Sequence, residues 1–283
     1  MSGVTLPFEA PLPRMQGRAE IGVVHADGRD RLAHLYQRAP LRVLFPDPPA
    51  GDPPHAALVT TSGGLAGGDR LEVAVKAGPQ AALLVVGSAA EKVYRSTWAD
   101  TVMEVALNAA AGARLEYLPQ ETILFEGARL RRTTRIDVAA ESKVLAGEIL
   151  IFGRAARAEK LTCGLVREAW EIRRDGRLIW ADALHLENDL AALLAAPAGF
   201  NGATAAAAVV CLGTDPAALR DQARALNADY AGRFAAGVIK DILVARWLDN
   251  DAMRLRGAFA TTWKTLRHAT LDLPARLPRL WDI

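Results

Sequence analysis

Between residues 56 and 187 the chain alternates. Leu71, Val73 and Val75 are interleaved with Arg70, Glu72 and Lys76; Met103, Val105 and Leu107 with Val102, Glu104 and Asn108; Ile136 and Val138 flank Asp137. A period of two places apolar side chains on one face, so these segments predict strands with one side buried. Val144 to Phe152 is mostly apolar, as expected for a strand covered on both faces. Trp170–Arg173 and Leu178–Trp180 bracket Asp175-Gly176, which predicts a tight hairpin. Gly or Pro breaks recur roughly every 8–15 residues with no helical period between them. The pattern predicts an extended all-β body: a sandwich, a barrel or a β-helical stack. No repeat of fixed length is visible, so nothing in the pattern calls for a regular solenoid.

Outside that region the signals change. Residues 1–18, with Pro7, Pro11 and Pro13, read as an irregular arm, and residues 19–45 as strand material. Pro46 to Pro54 form a Pro-rich loop too short for a free linker. Helices are expected only after residue 186. Asn188 to Ala196 predicts a short helix stopped by Pro197, and Ala203 to Leu212 a strand. Thr214-Asp215-Pro216 supplies an N-cap and a first-turn Pro for a helix carrying Leu219, Ala223 and Leu226. Phe234 to Leu248 reads as one strand interrupted by Gly237. Asp249-Asn250-Asp251 caps a helix from about Ala252 to His268, with Leu255, Phe259, Trp263 and Leu266 on its apolar face. The tail from Leu273 is expected to pack extended. The expected organisation is a single domain over 1–283, with a β body at 19–187 and a smaller α/β part at 188–283.

Composition narrows the function classes. Hydrophobic residues make up 51% and charged residues 23% of the 283, which excludes wholesale disorder. The balance of 34 basic to 32 acidic residues carries no electrostatic footprint for nucleic acid. No apolar stretch reaches membrane-spanning length and the start lacks an apolar leader segment, so no membrane partner and a cytoplasmic location are expected. Cys163 and Cys211 form no Cys-x-x-Cys motif, which excludes a zinc ribbon or disulfide scaffold; both are expected to be buried thiols.

Candidate chemistry is sparse. Gly63-Gly64-Leu65-Ala66-Gly67-Gly68-Asp69 is glycine-rich but lacks the Lys-Ser/Thr of a phosphate loop and the spacing of a dinucleotide fingerprint; a tight turn closed by Asp69 is the favoured reading. Glu91, Lys92, Tyr94 and Arg95 cluster, and one helical turn would pair Glu91 with Arg95, but a surface or interface turn is favoured over acid/base machinery. Glu121 and Glu126 are five positions apart, on opposite faces of a strand, and do not form a facing carboxylate pair. Glu148 stands alone in the apolar run, where a carboxylate is costly unless paired; Arg154 or another Arg would serve. The five histidines have no metal-ligand spacing, and no nucleophile elbow exists. Three classes remain: an assembly scaffold, a β-rich carbohydrate-active hydrolase with paired carboxylates, and a nucleotide-binding module on the Gly63–Asp69 loop. The missing catalytic site favours the first.

Three segments in order, Gly63–Asp69, Glu91-Lys92-Val93-Tyr94-Arg95-Ser96 and Leu115–Ala128, resemble the UreD (UreH) family of urease accessory proteins. Glu148-Ile149-Leu150 with Gly153-Arg154, the turn at Arg174-Asp175-Gly176 and the closing Pro278-Arg279-Leu280-Trp281 continue the resemblance over nearly the whole chain. Val86-Gly87-Ser88-Ala89-Ala90 departs from the expected hydroxyl-rich run. The resemblance implies a β-helical, mainly β fold and a non-enzymatic protein. It implies that urease apoprotein, UreF and UreG are partners, that nickel passes transiently through the interior, and that no cofactor is tightly bound. Asp69, Glu121 and Glu148 are nominated as nickel-path residues: isolated carboxylates hold Ni²⁺ more weakly than a His/Cys site. The capped helices after Thr214, with Arg220, Arg224, Arg254 and Arg256, are expected to meet partners.

Overall fold

The computed structural model describes residues 14–282. The expected arm therefore lies mostly outside the described residues, and its last part is not irregular. Gln16 to Arg18 already belong to β1 (Gln16–Ala26), which is followed by β2 (Arg29–Arg38) and β3 (Leu41–Leu44). The chain then winds through four successive coils. These are β4 (His55–Thr60) to β5 (Arg70–Ala77); β6 (Ala82–Gly87), β7 (Glu91–Val93) and β8 (Thr101–Ala109); β9 (Arg114–Leu118), β10 (Thr122–Leu124) and β11 (Arg129–Val138); and β12 (Lys143–Phe152) to β13 (Leu165–Arg174).

Equivalent strands of successive coils pair in parallel. β5, β8, β11 and β13 form one sheet, with β1 and β2 added at one end and β14 (Arg177–Glu187) at the other. β4, β6, β9 and β12 form a second, with β3 at its edge. β7 and β10 make a short third face against the end of β12. This is a stacked, β-helical body. Its repeat is hidden in the sequence because the coils differ in length. Ala82 faces Arg114, Arg114 faces Lys143, and Arg129 faces Leu165, offsets of 32, 29 and 36 residues.

The period of two decides what lies between the sheets. Leu71, Val73 and Val75, Val105 and Leu107, Ile136 and Val138, and Val144 and Ala146 point inward into one cluster. On β12 the other parity, Leu145 and Ile149, points outward and is covered by helices, which explains a run buried on both faces.

The second sheet continues through antiparallel strands β15 (Ala205–Leu212), β16 (Arg233–Ile239) and β17 (Ile242–Asp249). The expected single strand 234–248 is thus a hairpin. Gly237 sits inside β16, and the chain turns at Lys240-Asp241, where Lys240 takes a φ of 56°. α1 (Leu190–Ala195), α2 (Pro216–Leu226) and α3 (Ala252–Leu271) start at Asp189, Asp215 and Asp251, whose side chains accept the first free N–H groups. The tail closes with a short 3₁₀ turn, Arg279–Trp281, whose Trp281 is buried under α3 and stacked 5.5 Å from Phe259.

α3 is held by charge as well as by packing. Arg267 is buried, and its Nε donates to Glu116 Oε2 at 2.8 Å and its Nη2 to Asp52 Oδ1 at 3.0 Å. The Pro-rich loop is therefore an anchor for the last helix. The arginines expected to face partners are engaged within the chain: Arg220 with Asp221, Arg224 with the Ala236 carbonyl, Arg254 with Asp249, and Arg256 with Glu121 and Gln120.

α3 approaches the body closely at Gly147, where a Cβ would lie 2.8 Å from Phe259 Cζ and 3.0 Å from Ala208 O. Gly147→Ala is expected to cost about 1–3 kcal/mol, because neither the stacked rings nor the β15 backbone can give way freely. Urea unfolding of the two proteins measures it.

Candidate functional site

Charges appear where the inward parity demands apolar residues. On β11 the inward set is Leu130, Arg132, Thr134 and Ile136; on β13 it is Val166, Glu168, Trp170 and Ile172. The parallel register sets Arg132 opposite Glu168, and Glu148 reaches them from β12 across the core. Arg132 Nε donates to Glu168 Oε2 at 2.7 Å, Nη2 to Glu148 Oε2 at 3.0 Å, and Nη1 to Thr122 Oγ1 at 2.8 Å. Trp170 Nε1 donates to Glu148 Oε1 at 3.0 Å. The remaining oxygen, Glu168 Oε1, is buried without a hydrogen-bond partner.

One guanidinium thus serves two carboxyl groups in a largely buried site. Burial pushes the Glu168 carboxyl well above the ordinary carboxylate range; Arg132 opposes that push and Glu148 adds to it. Burial also works against the charge on Arg132, but Glu168 and Glu148 outweigh it and raise its pKa further. Tyr117, buried beside the group, is pushed up to about 12 by desolvation.

The cluster stands between two cavities. The larger, about 460 Å³, is lined by Glu148 and Glu168 with Trp170, Trp180, Phe234 and Trp247. β15 lines it with Ala206, Ala207, Ala208 and Val210, mostly small side chains that leave the space open. The smaller, about 160 Å³, is lined by Arg132, Tyr117, Thr122, Gln120, Thr60 and Glu91. Glu91 accepts from Thr60 Oγ1 at 2.6 Å, and burial raises its pKa.

The three carboxylates nominated from sequence are not brought together. Glu148 is in the cluster. Asp69 is buried, with Oδ1 accepting from Met15 N–H at 2.9 Å and Oδ2 from Ala66 N–H at 2.8 Å. It closes the Gly63–Asp69 turn, as the turn reading expected. The amides of Leu65, Ala66 and Gly68 donate to Lys92 O, Asp69 Oδ2 and Asp100 O, so these N–H groups are taken up in holding the turn. Glu121 is tied to Arg256 beside the tail. Glu91–Val93 is a strand and not a helical turn, so Glu91 does not pair with Arg95. Arg154 pairs with Glu159, leaving Arg132 as the partner of Glu148. Cys211 is buried as expected, but Cys163 is exposed, on the loop before β13. Among the described residues no group of three or more His, Cys, Asp or Glu side chains is close enough to hold a metal ion.

A family model described as UreD urease accessory protein matches residues 15–282. The chain belongs to the UreD family of urease accessory proteins. A relative from Magnetococcus marinus, named urease accessory protein UreD, is 46% identical over all of this chain and 99% of its own length. Others of that name are 38% identical in Rhodopseudomonas palustris, over 95% of this chain and 91% of theirs, and 42% identical in Granulibacter bethesdensis, over 84% and 99%. The match spans the coils, the antiparallel strands and α3, so the cluster and both cavities lie inside the shared region. No helix among the described residues is long and apolar enough to cross a membrane.

A carboxyl that stays protonated in the fold, at a pH where it ionises in the unfolded chain, stabilises most at low pH. Its contribution is lost as pH rises through the raised folded value. Glu168→Gln carries no such proton. The stability of the natural chain relative to Glu168→Gln is therefore expected to fall as pH is raised from about 5 to 8, measured by urea unfolding at each pH. A difference that grows with pH contradicts a protonated Glu168.

Proposed function

We propose that this UreD-family chain is a scaffold in urease maturation and not an enzyme, binding urease apoprotein together with UreF and UreG and helping nickel reach the urease active site. The observation that carries the reading is a carboxyl pair, Glu148 and Glu168, lining the larger cavity, with their shared partner Arg132 lining the smaller. Nickel is cargo here and must be released. Carboxylate oxygens hold a borderline dication more loosely than imidazole or thiolate, which suits transit better than storage. Of the nominated path residues, Glu148 is the one bordering a cavity described above; both oxygens of Asp69 are engaged by backbone amides and Glu121 is engaged by Arg256. The free thiols of Cys163 and Cys211 fit a reducing, cytoplasmic setting.

A hydrolase reading gains little from the same pair. A glycosidase needs carboxyls on opposite sides of a sugar, whereas Glu148 and Glu168 grip one buried guanidinium.

Deleting the gene is expected to leave urease synthesised but nickel-poor, measured as metal per purified urease; full nickel content at limiting nickel overturns the scaffold reading. Glu148→Gln keeps an acceptor for Trp170 Nε1–H but replaces a carboxylate with a neutral, weaker ligand. Because Glu148 also neutralises the buried Arg132 guanidinium, the melting temperature is expected to fall; in the complex that still assembles, nickel per urease is expected to fall by about tenfold or more. A large drop in melting temperature with normal nickel in the surviving complex would make Glu148 a structural ion-pair residue.

A further inference from the structure

The chain keeps a large space open among aromatic rings. Ala205, Ala207 and Val209 of β15 pack toward the helices, and Ala206, Ala208 and Val210 have the other parity. Together with Trp170, Trp180, Phe200, Phe234 and Trp247 they line the cavity of about 460 Å³. Trp170 Nε1 is spent on Glu148, and Trp247 Nε1 donates to Asn227 Oδ1 at 2.9 Å, so both rings offer the space carbon. Native interiors hold few voids larger than a water molecule, and wall atoms beside an empty volume forfeit their dispersion contacts. A guest that fills the space recovers them. We propose that the larger cavity is a binding site for an uncharged, largely aromatic small molecule.

Size, polarity and access select that guest. The volume falls in the range of small-molecule sites, about 300–1,000 Å³, and the lining is of their kind, apolar and aromatic with a few polar groups. Rings in the wall favour a ring in the guest, through offset-stacked or edge-to-face contact. The charges on the wall are already matched. Arg246 pairs with Asp182, Arg233 donates to the carbonyls of Gly199 and Phe200, and both oxygens of Glu148 are taken, one by Arg132. An anion would therefore meet no free cation and would be repelled by Glu148. One polar atom is left over: Glu168 lines the cavity, and its Oε1 is buried with no partner. A hydrogen-bonding group on the guest can meet that need, and the neutral carboxyl that burial favours can donate as well as accept. The way in lies between β14 and the β16–β17 hairpin. Asp182 and Ala183 on one side, and Arg233, Ala235 and Arg246 on the other, line the cavity and are exposed. The Arg246–Asp182 pair crosses this mouth in water, where such a pair contributes little and can open.

The test uses the full chain purified with UreF. The probe is N-phenyl-1-naphthylamine, an uncharged aromatic amine whose fluorescence rises in apolar surroundings. Saturable binding is expected, with energy transfer from the tryptophans of the wall. Ala208→Leu fills the space from β15. It is expected to weaken that binding at least about tenfold, at an unchanged or higher melting temperature. The site is read as the signal that Ala208→Leu removes, so dye held by UreF is subtracted. 8-Anilinonaphthalene-1-sulfonate has the same rings and adds a negative charge. At this site it is expected to bind at least about tenfold more weakly than the amine. No saturable binding to the natural chain, unchanged binding in a folded Ala208→Leu, or equal affinity for the two dyes overturns the proposal. If Ala208→Leu does not fold, Ala206→Leu takes its place with the same expected outcomes. The proposal does not rest on nickel passage: the dyes report the cavity alone, and nickel per urease in Glu148→Gln judges the path.

Discussion

A single guanidinium shared by two carboxyl groups between the sheets is the constraint around which the interior is arranged. Arg132, Glu148 and Glu168 occupy positions that the strand period reserves for apolar side chains. Taking one charge out of water costs several kcal/mol, and attraction recovers that only if every remaining donor finds an acceptor. Each guanidinium nitrogen of Arg132 has an acceptor, with Thr122 serving beside both carboxyls, and both oxygens of Glu148 accept, one from Arg132 and one from Trp170. Glu168 does not meet it, since one of its oxygens is left over. The residual demand falls on the proton, which is why burial drives that carboxyl toward its neutral form.

The second buried guanidinium shows what the alternative looks like. Arg267 is as deeply buried, but its donors go to Glu116, Asp52 and the Pro274 carbonyl, and no cavity described above borders it. It joins three distant parts of the chain: the Pro-rich loop, β9 and the tail behind α3. Burial still raises the Glu116 pKa against the pull of Arg267. The same chemistry, an arginine between two acids, serves as a rivet at α3 and as a boundary between cavities at β11. The difference is the empty space beside the latter, left by the alanines of β15.

The sequence pattern was a good guide to strands and a poor one to how they stack. Alternation at residues 70–76, 102–108 and 136–138 places the inward faces correctly, and the capped helices begin at the Asp residues the pattern picked out. The stacking was hidden because the offsets between successive coils are unequal, and the hairpin at Lys240 because its turn has no Gly or Pro. At the site, Glu148 was legible as a charge inside an apolar run. Arg132 and Glu168 carry the same kind of signal, a charge on the apolar parity of an alternating strand. It was masked for Arg132 by Arg131 and Arg135, which make β11 read as simply basic. Glu91 was singled out, but its partner Thr60 comes from a neighbouring coil, a contact that no local spacing encodes. Asp69 and Glu121 looked alike in sequence to Glu148, and tertiary contacts separate the three.

Parallel ladders built from similar alternating strands are prone to one error, a slip by a single residue that turns every side chain over. In β11 such a slip would carry Arg132 out to solvent and turn Arg131, Thr133 and Arg135 inward in place of Leu130, Thr134 and Ile136; the slip that sets Thr133 opposite Glu168 would leave Glu148 and Glu168 with no cation between them. Each strand of the trio therefore proofreads the alignment of the other two. A newly made chain that winds its coils out of step meets this penalty among largely buried groups. The charges that line the interior also sort the correctly wound molecule from its near misses.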